Sequence, residues 1–306
     1  MKQSQKKKRK PITDDMITEF HADDFGYFRG QSGRILACSR KGVLNGISLF
    51  ANGEDLDQCL GMLSGCELRL SVHLNLMTGR SLSPAASIPL LTDSDGVFRA
   101  HFRDLVLCFL SGRRRDYKEQ IKTEFRAQIR RLLPLFEERG MPLRLDGHAH
   151  WHMIPVAFDA MMELVRDEFP QTAYIRIPVE SPAVYIRHLR DILPVPPLNL
   201  AKCLILMLFA RRNLRKWRRE TEKMERKVFL GVLFSGCFDI RRARAVLPSA
   251  QAYARKTGRG LELLAHPGSV REAEDLARVT NEDDRRFFTD RGRLKEAAMF
   301  RHLRGN

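Results

Sequence analysis

The stretch LRLDGHAHWH (143–152) runs from alternating apolar residues into a polar cluster holding three of the chain's nine histidines. In an extended strand successive side chains face opposite ways, so Asp146, His148, His150 and His152 would line one face of a strand or of its outgoing loop. That is a metal-site pattern, although three alternating histidines rarely all reach one ion. The same design, an apolar run ending in polar residues, recurs along the chain in HADDFG (21–26), SVHLN (71–75) and LLAHPG (263–268).

These clusters decide the fold class. Apolar runs at 16–22, 46–51, 67–76, 143–150, 173–178, 228–234 and 261–266 read as strands, with helical patterns between several of them. The clearest helix is 116–139, where Ile121, Phe125, Ile129, Leu132, Leu133 and Phe136 form one apolar stripe. Gly140 stands where a helix-ending left-handed residue belongs, and Pro134 is expected to kink or break the last turns. Strands alternating with helices predict an α/β fold with a mostly parallel sheet, open or closed. Polar clusters at the C-terminal ends of several strands favour a (β/α) barrel, irregular or incomplete, with its active site at that rim. A basic tail at 1–14, read as disordered, precedes a single barrel domain at 15–306 that carries a basic amphipathic insertion around 198–227.

Composition sets outer limits. The 306 residues can bury a large core, and the net charge of +16 favours anionic neighbours such as a membrane, nucleic acid or phosphorylated glycan. Six scattered cysteines form no CxxC pair, which excludes a zinc ribbon or a thioredoxin-type site and reads as free thiols in a reducing compartment. The basic N-terminal stretch has no apolar segment after it, and the longest apolar run, CLILMLFA (203–210), is too short for a membrane span. The expected location is cytoplasmic, with contact at the inner face of a membrane as a further possibility.

Taken singly, the polar clusters are ambiguous. Adjacent Asp23 and Asp24 read as a solvated turn or as a ligand beside a proton acceptor; His73 reads as a satisfied core histidine or as a ligand. Together, a carboxylate and two imidazoles from three strand ends make an N,N,O site with open positions, suited to Zn²⁺ and similar ions. A divalent ion that lowers a water pKa, a carboxylate base and a histidine acid are the parts of a metal-assisted hydrolase.

ADDFG, HLNL, LDGHAHWHMIP, RIP and AHPG, in this order from about residue 17 to 300, resemble the YdjC-like carbohydrate deacetylase family, which includes chitooligosaccharide deacetylases and a hopanoid-biosynthesis-associated branch. The resemblance implies a (β/α) barrel that removes N-acetyl groups from amino sugars with one divalent metal ion, Mg²⁺ or Zn²⁺. Residue by residue it implies Asp24, His73 and His148 as metal ligands, Asp23 as general base and His266 as general acid. Arg176 matches a basic residue near the site, His150 is packed near the site or faces substrate, and Asp146 is placed to orient a ligand imidazole. His21 stands where the family more usually has asparagine.

The segment LNLAKCLILMLFARRNLRKWRRETEKMERK (198–227) has two readings. One is a barrel helix with a solvated basic end. The other is an interfacial anchor, with Trp217 at headgroup level and its cations on anionic lipid, fitting an enzyme of lipid-linked glycans. No nucleic-acid module is recognisable. The leading function is a metal-dependent deacetylase of an N-acetylated glycan or glycolipid. The alternatives are a related amide or ester hydrolase and a non-catalytic membrane-associated barrel protein.

Overall fold

The computed structural model describes residues 18–279 and 282–303, the side chains of 283 and 284 excepted. The expected tail at 1–14 lies outside the described residues. Seven parallel strands form one sheet: β1 (Thr18–Phe25), β2 (Gly46–Phe50), β3 (Arg69–Leu74), β4 (Leu143–Gly147), β5 (Thr172–Ile175), β6 (Lys227–Leu230) and β7 (Gly260–Ala265). Their order is β5-β4-β3-β2-β1-β7-β6, an incomplete (β/α) barrel curled between edge strands β5 and β6. Across that seam runs one isolated parallel bridge, Tyr174 with Glu225, in which the Glu225 N–H donates to Ala173 C=O at 2.9 Å.

Parallel strands covered on both faces read as near-continuous apolar runs, and β2 is buried at all five positions. The register aligns Phe50 with His73 and His73 with Asp146, so residues far apart in the chain reach one level of the rim. Every predicted strand is present, each within a few residues of its expected bounds.

The 116–139 pattern is the Arg114–Glu138 helix, with Ile121, Phe125, Ile129, Leu132 and Phe136 buried. Pro134 does not break it. This residue is exposed, so the backbone carbonyl it deprives of a partner lies on the solvent side. Gly140 has φ +59°, and the Met141 N–H donates back to Phe136 C=O at 2.9 Å, closing the helix as expected. Two polar residues on the buried face, Glu124 and Gln128, hold the loop after β3. Glu124 accepts from the Leu82 and Ser83 N–H groups, and Gln128 Oε1 from the Asn75 N–H.

The region 198–227 forms the Pro197–Lys216 helix and a short turn of helix at Arg218–Thr221. Trp217 is buried, not at a membrane surface: its indole N–H donates to Asp159 at 2.8 Å. Among the described residues no helix is long and apolar enough to cross a membrane.

Candidate active site

β1 ends in a bulge between Ala22 and Phe25, with Asp24 held at φ +74°. This turns the paired aspartates apart. Asp23 faces Arg176, whose Nη1 lies 2.9 Å from both carboxylate oxygens. Asp24 faces inward, with Oδ1 3.2 Å from His148 Nδ1 and 3.6 Å from His73 Nε2, while Oδ2 accepts from Arg293 at 3.0 Å.

The histidine triplet departs from its predicted geometry. The strand stops at Gly147, and His148–Met153 is a tight 3-10 turn in which Ala149 and His150 take φ +47° and +62°. His148, His150 and His152 therefore share no strand face. His148 meets Asp24. His150 turns toward a cavity, and burial holds its imidazole well below the usual histidine range. His152 points back, donating Nε2–H to Arg176 C=O at 2.9 Å. A side chain at Gly147 would put a Cβ 2.7 Å from the His152 ring, which is why glycine stands there. Among the described residues the non-glycine positions with positive φ are Asp24, Ala149 and His150, so the costly backbone geometry is concentrated at this site.

Asp146 and Arg176 are fully buried and act from behind the rim. Asp146 Oδ1 lies 2.6 Å from His73 Nδ1 and its Oδ2 accepts from Ser48 Oγ at 2.5 Å. A carboxylate only accepts, so His73 donates from Nδ1 and its Nε2 lone pair is left free. That Nε2 is buried without any hydrogen-bond partner.

This orphaned atom is the test of metal fit. Ligand atoms of Asp24, His73 and His148 lie within 4.8 Å of one another, all on buried side chains. Burial opposes a charged His73, yet the Asp23 charge, the hydrogen bond to Asp146 and the nearby Asp24 carboxylate push it up to about 10. A field that would hold a proton there equally favours a cation. Burial alone would raise Asp24, but the hydrogen bond from His148, the neighbouring His73 imidazole and the Arg293 charge hold it well below the carboxylate range. The cluster fits a divalent ion. His21, Asp23 and Asp146 also converge, but there Arg176 already supplies the cation, with Nη2 3.2 Å from Asp146. His21 bridges Glu19 and Ser48 at 2.7 Å each, in a packed network below the site.

Asp23 and His266 border one cavity of about 420 Å³, together with His150, Trp151 and Phe287. His266 follows β7; its backbone N–H donates to Glu296 Oε2 at 2.5 Å, with ring Nδ1 3.7 Å from the same oxygen. The Phe287 ring lies 5.7 Å from both His148 and His266, and the Arg293 guanidinium stacks 4.2 Å over it. The structure thus brings together Asp23, Asp24, His73, Asp146, His148, His150, Arg176 and His266. Sequence reasoning missed Ser48, Glu262, Phe287, Arg293 and Glu296. None carries a motif; Glu262, which accepts from Arg176 Nε at 2.6 Å, had the one readable signal, an acid inside an apolar strand.

The model of the family described as YdjC-like protein matches residues 19–304. The chain belongs to the YdjC-like family. This YdjC-like chain is 29% identical over 160 residues to a carbohydrate deacetylase of Danio rerio, covering 52% of the chain and 48% of that relative. It is 29% identical over 167 residues to a carbohydrate deacetylase of Brevibacillus brevis, covering 54% and 59%. It is 26% identical over 149 residues to a chitooligosaccharide deacetylase of Escherichia fergusonii, covering 48% and 55%. The match spans about half the length of these curated relatives. The fold is similar to a crystal structure from Enterococcus faecalis V583, named as a candidate cellobiose-phosphate cleavage protein, with TM-score 0.62 and 15% identity over 93% of this chain and 90% of that one.

Proposed function

We propose that this YdjC-like chain is a divalent-metal-dependent hydrolase that removes acetyl groups from an N-acetylated amino sugar in a carbohydrate or glycolipid. The observation that carries the reading is the unpartnered, buried Nε2 of His73 beside Asp24 and His148, next to a cavity that Asp23 and His266 border. The relatives' names, carbohydrate deacetylase and chitooligosaccharide deacetylase, support the substrate class.

Asp24, His73 and His148 would hold the ion. Two imidazoles and one carboxylate suit Zn²⁺ better than Mg²⁺, which takes oxygen ligands. Bound there, the ion would supply Lewis acidity and lower the pKa of a water. Asp23 accepts the proton of the water that attacks the acetyl carbon, and Arg176 keeps both its oxygens in place. As the C–N bond breaks, His266 gives a proton to the amine nitrogen, so acetate and the free amino sugar leave. Asp146 fixes the His73 tautomer from behind. The proposed location is the cytoplasmic side, with peripheral contact to an anionic membrane. Leu200, Leu204 and Leu208 form an exposed stripe that Arg211 and Arg215 continue.

Metal analysis of the purified protein, with acetate release measured on N-acetylated oligosaccharides and glycolipids, tests the reading. Stoichiometric metal and chelator-sensitive acetate release, restored by Zn²⁺, are expected. Full metal with no acetate from the whole panel overturns the deacetylase and leaves another amide or ester.

A further inference from the structure

The Gly292–His302 helix reaches the site with two side chains three positions apart. Glu296 accepts the backbone N–H of His266, and Arg293 donates to Asp24. The start of the helix is packed without slack: a Cβ at Gly292 would lie 2.0 Å from Gly236 C=O. Arg293 is buried, and its guanidinium is held at every nitrogen. Nε donates to Phe287 C=O at 2.8 Å, Nη1 to Gly268 C=O at 2.6 Å and Nη2 to Asp24 Oδ2 at 3.0 Å. The guanidinium carbon also lies 4.2 Å from the Phe287 ring centroid and 5.4 Å from that of Phe288. Two carbonyls and two rings are enough to pin the helix. The third hydrogen bond has a different consequence, because it sets a buried cation on a carboxylate of the candidate metal cluster.

A carboxylate can give a metal ion one oxygen or both. Asp24 has only one to offer. Its Oδ2 accepts from Arg293, and the backbone at φ +74° fixes how the side chain leaves the strand. Oδ1 is the oxygen turned to the histidines, 3.2 Å from His148 Nδ1 and 3.6 Å from His73 Nε2. A catalytic zinc site takes three protein ligands and keeps its fourth position for water or substrate. The second oxygen of Asp24 would fill that position. A planar fork bonded at three points cannot swing aside to let it do so.

We infer that Arg293 is a positioning residue that confines Asp24 to one ligand oxygen and so keeps a coordination position open. The inference rests on the metal-site reading. Its effect has a distinctive sign. Groups that orient a metal ligand usually strengthen binding, and their loss lowers affinity about 10- to 100-fold. A guanidinium on the ligand instead repels the incoming ion and competes for its oxygen. Removing it should therefore tighten metal binding.

Zn²⁺ affinity of wild type and of Arg293→Gln, measured by competition with a chelating dye, tests this. The variant is expected to bind Zn²⁺ about tenfold more tightly or better. Without metal it leaves the Asp24 charge buried and unpaired, so it should melt below wild type, and Zn²⁺ should raise its melting temperature by more than it raises that of wild type. Unchanged or weaker Zn²⁺ binding in the variant reduces Arg293 to a structural pin and overturns the inference. A crystal structure of Zn²⁺-loaded wild type reads the same point without any variant: Oδ1 alone should meet the ion, with Arg293 still on Oδ2. Both oxygens on the ion overturn the inference. Wild-type protein that takes up no divalent ion sinks the metal-dependent reading itself, whereas metal-loaded wild type beside a weaker-binding variant sinks the role of Arg293 alone.

Discussion

Asp24 and Asp159 are both buried carboxylates among cations, yet their surroundings are finished to different degrees. Asp159 receives Arg114 at 2.7 Å, Arg212 at 2.6 Å, Lys216 at 2.9 Å and the Trp217 indole N–H at 2.8 Å. Nothing in that cluster lacks a partner, and its product is attachment of the Pro197–Lys216 helix to the Pro155–Asp167 helix. Around Asp24 the accounting stays open. Arg293 satisfies one oxygen, while His73 Nε2, 3.6 Å from the other, bonds to nothing. Buried polar groups are normally satisfied; unpartnered buried atoms also occur at Gln31 and Ser83, but the His73 orphan faces a carboxylate and a second imidazole within ligand reach, and that convergence separates a chemical site from a structural one.

The largest expected effect tests that distinction directly. His73→Ala and His148→Ala should each empty the site of metal and abolish hydrolysis, whereas Asp159→Asn should keep both. Elemental analysis finding full metal in His148→Ala, or metal loss in Asp159→Asn, breaks the contrast. Within the open cluster, Asp23→Asn should retain metal and lose about 10²- to 10⁴-fold in rate, the usual worth of general base catalysis. Equal metal loss in Asp23→Asn and Asp24→Asn variants would mean that the two aspartates do not divide their work.

How much of this could be read in the sequence followed from range. Strand ends were legible because an apolar run ending in Asp, His or Gly is a local pattern, and Asp23, Asp24, His73, Asp146 and His266 all came from it. The 146–152 triplet was misread because alternation is the default reading of a strand. Gly147 held the contrary signal, since it makes room for His152 in a turn that leaves the strand. Arg293 was invisible: it reaches Asp24 across 269 positions from the Gly292–His302 helix, one arginine among many. Trp217 looked interfacial in a basic stretch because its partner, Asp159, lies on another helix.

The closed cluster should show itself in stability. Burial would raise the Asp159 carboxyl, but bonds from Arg212, Lys216 and Trp217 hold it below the carboxylate range. Its folded pKa is thus depressed, so its contribution is present above the unfolded value of about 4 and fades as pH falls toward the folded one. Asp159→Asn should cost about 1–3 kcal/mol near neutrality, and less as pH drops below about 4. Thermal melts at pH 7 and pH 3 read this as a gap that narrows in acid. A gap that widens reverses the sign and removes Asp159 as the anchor.

The smallest effect concerns cations that neither cluster uses. Lys216 and Arg212 are committed to Asp159, and Arg218 pairs with Glu222. Arg211 and Arg215 are exposed and have no ion pair among the described residues, beside the exposed leucines of the same helix. If this surface meets an anionic leaflet, each such cation contributes roughly 1 kcal/mol, screened within a Debye length. Arg215→Gln should then weaken co-sedimentation with phosphatidylserine liposomes about fivefold at low salt. It should leave melting within about 0.5 kcal/mol of wild type, as surface changes do. Turnover of a water-soluble acetamido sugar should not move. The contrast with Lys216→Gln sharpens the assignment, because that change removes a cation already spent on Asp159 and should lower the melting temperature as well. Wild-type protein that ignores anionic liposomes even at low salt would remove the membrane reading of this surface.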